Sequence, residues 1–152
     1  MEKEEKYQLL VKQIEALIEG ENDMVAVMSN VAAVIHREMG FWWTGFYRVV
    51  NNELLLGPFQ GPVACMHIGY GRGVCGTAWK QAETIVVPDV EAFPGHIACS
   101  SASRSEIVVP IFDKDDSKKV TAVLDIDSEH LNTFDHTDQH YLEAICTLLA
   151  NR

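Results

Sequence analysis

Basic residues are scarce in this chain. It has 12 Lys and Arg against 22 Asp and Glu, a formal net charge of −10 over 152 residues. Nucleic acids and anionic membrane surfaces are held by basic patches, so neither partner is expected. A small zwitterionic ligand is compatible with the charge, because a pocket's local field can differ from that of the whole protein. No apolar run approaches the ~20 residues that span a bilayer. The opening MEKEEKYQLL is charged and amphipathic, unlike a secretory leader, so a cytoplasmic protein is expected. Linkers, repeats and low-complexity tracts are missing, which suits a single domain over 1–152. There is also no C-x-x-C pair, the usual mark of a structural zinc site.

Four cysteines are present. In a reducing compartment they are poor candidates for structural disulfides, and serve as core residues, metal ligands or redox groups. Cys146 follows Leu142 and Ile145 on the apolar face of a predicted last helix and reads as core. The other three stay open between these roles. Cys75, in GRGVCGTA, falls at a predicted helix start, where free N–H groups and the dipole favour a thiolate. Cys99 lies three residues after His96, and a nearby histidine helps generate the nucleophilic thiolate. Cys65-x-His67 and His96-x-x-Cys99, with Cys75, offer a metal alternative, although their separations match no zinc pattern.

Apolar residues make up 47% of the chain, enough for a sizeable core. Helical spacing runs from Glu4 to Ile18 and from about Asn22 or Asp23 to Glu38, ended by Gly20 and Gly40. Strands are expected at Trp42–Val50, Glu53–Leu56, Ala64–Ile68, Thr84–Val87, Glu106–Phe112 and Val120–Ile126. Asn51-Asn52 suits a tight hairpin, and DKDDSKK reads as the turn between the last two strands. A short helix is expected over Val74–Gln81, an irregular loop from Asp89 to Ser105, and a closing helix from Thr137 capped near Asp135. The fold class is α+β, with a mainly antiparallel sheet of about six strands and helices at both ends.

Two patterns on the predicted strands carry chemistry. Asp125 and Asp127 flank Ile126, so their side chains share one strand face. If the hairpin closes near Ser117, Glu106 arrives beside them. Three converging carboxyls could hold an ammonium group and donate a proton, and like-charge repulsion should raise at least one pKa. The alternative is a strand end exposed to solvent. Along FWWTGFY, Trp43, Gly45 and Tyr47 share one face and Trp42, Thr44 and Phe46 the other. One face is core and the other can wall a pocket; periodicity does not choose. Gly71 to Gly76 spells G-x-G-x-x-G, but the sheet looks antiparallel, so a tight loop near Cys75 is preferred to a dinucleotide site.

Together, WTGFY, LLLGPFQGPVAC, GRGVCGTA, VPDV, FPGHIAC, SEIVVPI and VLDIDS, in that order, resemble the free methionine-(R)-sulfoxide reductases. These enzymes are built on a GAF domain, with terminal helices on one sheet face and loops plus a short helix forming a pocket on the other. The resemblance implies Cys99 as nucleophile, Cys65 as principal resolving cysteine and Cys75 as a third, secondary redox cysteine. It implies Glu106, Asp125 and Asp127 as the carboxyls that hold and protonate the substrate, and Trp43 and Tyr47 as pocket walls. Free methionine sulfoxide would be the substrate, thioredoxin the reductant, and a homodimer common; no cofactor or resident metal is implied. One departure is Cys99-Ser100-Ser101, where the family usually has Asp after the nucleophile. Two other readings remain: a non-enzymatic GAF sensor of a ligand or of redox state, and a Cys/His metal-binding domain.

Overall fold

Local sequence signals set the helix ends. In the computed structural model, which describes residues 1–96 and 102–152, α1 spans Lys3–Ile18 and α2 spans Met24–Met39. Asp23 caps α2 by accepting from the N–H groups of Val25 and Ala26, and Gly40 closes it in the left-handed conformation. Among the described residues, no helix is long and apolar enough to cross a membrane.

Six strands form one antiparallel sheet in the order β3-β2-β1-β6-β5-β4. They are β1 (Trp43–Val50), β2 (Glu53–Gln60), β3 (His67–Ile68), β4 (Ile85–Val87), β5 (Ser105–Asp113) and β6 (Asp116–Ser128). Asn51 and Asn52 both take positive φ, 52° and 66°, and turn β1 directly into β2. The hairpin between β5 and β6 is tighter than DKDDSKK suggested. Asp113 pairs with Asp116, and the Asp113 carboxylate receives the Asp115 N–H, so Ser117 to Lys119 extend the strand into solvent.

The larger departure is at Ala64–Ile68, of which only His67–Ile68 pairs as strand. Pro62 has no N–H for a ladder, and Gly61 sits at φ 123°. Two side chains of β1 hold the segment instead: Trp43 Nε1 donates to the Pro62 carbonyl at 2.9 Å and Tyr47 Oη to that of Cys65 at 2.8 Å. Between β4 and β5, a 3-10 turn at Val90–Ala92 occupies part of the expected loop.

Period-two alternation divides the sheet into two working faces. Phe46, Ile107, Leu124 and Ile126 point toward α1, α2 and α4 (His136–Ala150), meeting Leu10, Ile35 and Ile145. Cys146 is buried there, as its periodicity predicted. Tyr47, Val108 and Val123 point the other way, under α3 (Gly73–Gln81).

Asp138 ties the two terminal helices together. It is fully buried, accepts from Tyr7 Oη at 2.5 Å and Lys3 Nζ at 2.7 Å, and closes the α4 capping box with Asp135. Asp138→Ala strands a buried hydroxyl and an ammonium group. It is expected to cost about 3 kcal/mol, read as a lower urea midpoint with an unchanged slope.

Candidate active site

The pocket forms where β1, β5 and β6 turn their second face toward α3. Its wall includes Trp43, Tyr47, Cys75, Glu106, Asp125 and Asp127, six of the eight residues the sequence singled out. Glu106 lies opposite Asp127 in the β5–β6 ladder, and Asp125 lies opposite Val108 one step inward. The three carboxyls therefore come together as expected, although the hairpin closes at Asp113–Asp116 and not near Ser117; register shifts between Ile111 and Asp113 restore the Glu106–Asp127 pairing. They do not fray into solvent: Glu106 is 7% and Asp125 6% exposed.

Burial decides their chemistry. Removal from water is the largest influence on all three and raises each pKa. Charge repulsion, expected to be the main cause, comes second for Glu106 and Asp127. Asp125 is raised least: hydrogen bonding to Glu106 and Cys75 and the positive field of His96 pull against its burial. The Ser103 hydroxyl donates to Asp127 Oδ1 at 3.0 Å. Asp125 Oδ1 is buried with no hydrogen-bond partner among the described residues. A cavity carrying an unsatisfied acceptor suits a ligand that brings its own N–H groups.

Such a cluster opposes folding at neutral pH. Glu106 takes up a proton on folding at pH values between the ordinary glutamate pKa of about 4.3 and its raised folded value. In that window the unfolded chain binds fewer protons, so stability falls as pH rises. Glu106→Gln is therefore expected to gain about 1–2 kcal/mol at pH 7, roughly 4 °C in melting temperature. The gain should vanish near pH 4, which parallel melting scans at the two pH values would check.

The expected Cys75 thiolate is not what the fold makes. Cys75 does sit in the first turn of α3, but burial is the leading cause that lifts its pKa well above normal, followed by Asp125, Glu106 and Asp127. A helix terminus is worth ~1 kcal/mol, too little to hold an anion beside that cluster. Cys75 is a neutral, free thiol. The glycines around it serve close approach: a Cβ on Gly76 would lie 2.5 Å from the Gly69 carbonyl oxygen.

The aromatic wall is resolved by Gly45. A Cβ there would meet the Trp43 ring at 2.6 Å, so its absence lets the indole lie across the strand. Trp43 stacks on Phe59 and Tyr47, with centroids 5.3 and 6.1 Å apart. Trp42 also lines the pocket, although alternation put it on the opposite face. It lies outside β1, which starts at Trp43, so strand alternation does not reach it.

The remaining cysteines divide. Cys65 is disulfide-bonded, on the segment held by Trp43 and Tyr47. Cys99 lies outside the described residues. His67, offered as a metal ligand with Cys65, is exposed and bonded through Nδ1 to Glu53 at 2.6 Å. Sequence reasoning missed Arg72 and Ser103, which also face the cavity. Their only signal was position, in the glycine run before Cys75 and in the polar stretch before Glu106.

Comparison with known proteins follows the same lines. Residues 21–151 match the GAF domain family. A Dictyostelium discoideum protein described as GAF domain-containing protein A is 54% identical, covering 98% of this chain and 93% of that protein. The free methionine-R-sulfoxide reductase of Saccharomyces cerevisiae is 42% identical, over 98% and 86% of the two chains. The X-ray structure of free methionine-R-sulfoxide reductase from Neisseria meningitidis, in complex with its substrate, superposes with a TM-score of 0.94. It is 49% identical, covering 99% of this chain and 89% of that one.

Proposed function

The chain belongs to the GAF-domain free methionine-R-sulfoxide reductases, and we propose that it reduces free L-methionine-(R)-sulfoxide with Cys99 as nucleophile and Cys65 as resolving cysteine. One observation carries the substrate assignment: two buried carboxyls and a half-buried third, Asp127, with a spare acceptor at Asp125 Oδ1, set against an aromatic wall. A free amino acid brings an ammonium group to that acceptor. A peptide-bound residue brings only an amide and leaves a buried carboxylate unpaired, at a cost of several kcal/mol. Arg72 also lines the pocket and offers a guanidinium to the α-carboxylate.

The chemistry follows from the charge states. A sulfoxide sulfur becomes electrophilic when its oxygen takes a proton, and burial shifts Glu106 and Asp127 toward the protonated form that can supply it. Cys99 thiolate attacks the sulfur, methionine leaves, and the oxygen stays on Cys99 as a sulfenic acid. The Cys65 thiol condenses with it, releasing water and forming a disulfide. Support for this pairing lies in the disulfide-bonded state of Cys65 and in the burial of both free thiols, Cys75 and Cys146. Cys75 has a secondary redox role. A thioredoxin dithiol then reduces the disulfide, in a cytoplasmic homodimer.

The test is turnover of four substrates with thioredoxin as donor: separated R and S sulfoxides of methionine, free and peptide-bound. Only the free R form should yield methionine, with at least a hundredfold preference over the others. Equal rates on free and peptide-bound sulfoxide would remove the ammonium argument.

A further inference from the structure

Three groups in the pocket are also disposed as ligands of a cation. Cys75 Sγ, a Glu106 oxygen and an Asp125 oxygen all lie within 4.8 Å of one another, and all three residues are buried. They come from α3, β5 and β6 respectively. A second observation is separate from this clustering: the partnerless Oδ1 belongs to an Asp125 that is only 6% exposed and lines the cavity. We propose that Cys75, Glu106 and Asp125 form a three-ligand site for a borderline-soft divalent cation, zinc by its donor chemistry, and that the ion competes with substrate for the pocket.

The donor set selects the ion. Magnesium and calcium prefer oxygen ligands throughout, whereas one sulfur with two carboxylates suits zinc. Three protein ligands leave a fourth position open toward the cavity, as in zinc sites that bind water or a small molecule. Zinc bonds of about 2.0–2.3 Å require the three side chains to draw in by about an ångström. On binding, the Cys75 S–H bond breaks and one Zn–S and two Zn–O bonds form. The thiol proton and any carboxyl protons pass to solvent, and nothing is oxidised or reduced. Cys75 is free while Cys65 is disulfide-bonded, so the site persists in the oxidised protein. Competition rests on the proposed reductase activity; binding does not.

The experiment separates the two. The full chain, with Cys65 kept in its disulfide, is titrated with cobalt(II) as a spectroscopic stand-in and with zinc by calorimetry. One equivalent should bind with a sulfur-to-cobalt charge-transfer band in the near ultraviolet. Cys75→Ser should abolish the band, and both Cys75→Ser and Asp125→Asn should weaken zinc affinity about tenfold or more. Cys146→Ser, in the helix-side core, should leave both unchanged. In the reduced protein, zinc should raise the apparent KM for methionine sulfoxide and leave kcat alone. Absence of the band, or its survival in Cys75→Ser, overturns the site. Inhibition that lowers kcat instead, or that Cys75→Ser leaves equally strong, overturns the competition. Failure to form methionine without zinc would instead refute the reductase reading, with the binding result untouched.

Discussion

Cys99→Ser is expected to form no methionine above background, while Cys65→Ser forms about one per enzyme and then stops. The difference follows from where each sulfur enters. In the proposed mechanism, no bond to the sulfoxide sulfur is made without the Cys99 thiolate, and a serine hydroxyl at neutral pH does not replace it. Without Cys65 the first half-reaction still runs, but the sulfenic acid on Cys99 has no resolving partner. Thioredoxin, which exchanges with disulfides, then meets only a sulfenic acid at the proposed substrate site, where its own thiol must reach to condense with it. Rapid-quench counting of methionine per active site would distinguish a stoichiometric burst from continued turnover. Sustained recycling by Cys65→Ser would transfer the resolving role to Cys75, whose thiol is held neutral beside three carboxyls. Free thiol counts before and after the burst would show which sulfur was consumed.

Asp125→Asn is expected to lower kcat/KM for free methionine sulfoxide by about 10²–10³. The side chain keeps its size, so packing in β6 is preserved. What changes is the lone Oδ1 acceptor, which can become an amide N–H and, in the proposed complex, face the substrate ammonium. Losing a buried charge partner costs ~3–5 kcal/mol, which overlaps the ~2.7–4.1 kcal/mol that such a loss of rate represents. Steady-state kinetics should place most of the loss in KM, because the ammonium is bound alike before and during sulfur transfer. The variant should also melt no lower than the parent. An unchanged kcat/KM would demote the cluster to a feature of the fold, and an unfolded variant would make its interior role structural.

Much of the architecture could be read from residues with one physical option. Asp23 and Gly40 bracket α2, Asp135 caps α4, and Asn51-Asn52 turns β1 into β2 because asparagine tolerates positive φ. The carboxyl cluster was legible too, since strand alternation and a short hairpin leave Glu106, Asp125 and Asp127 little choice. The state of Cys75 was not. Its helix start is a local feature, whereas the carboxyls that suppress ionisation come from strands 31 to 52 positions later. Peeling of residues 61–65 from the sheet was equally hidden, because it depends on Trp43 and Tyr47 reaching back from another strand. The side of β1 that faces the pocket followed from where α3 packs, which no period in FWWTGFY encodes.

The alternation along β5 and β6 has a practical consequence. Glu106, Asp125 and Asp127 occupy one side of these ribbons, while Ile107, Leu124 and Ile126, their immediate neighbours, serve the opposite layer. Pocket and helix-side core thus share a backbone but no side chains. A protein engineer could redesign the contacts of α1, α2 and α4 wholesale, exchanging residues of like volume, and leave the pocket carboxyls where they stand. The reverse trade is closed: any single-residue insertion in β6 would rotate greasy groups into the cavity and bury acids under the helices.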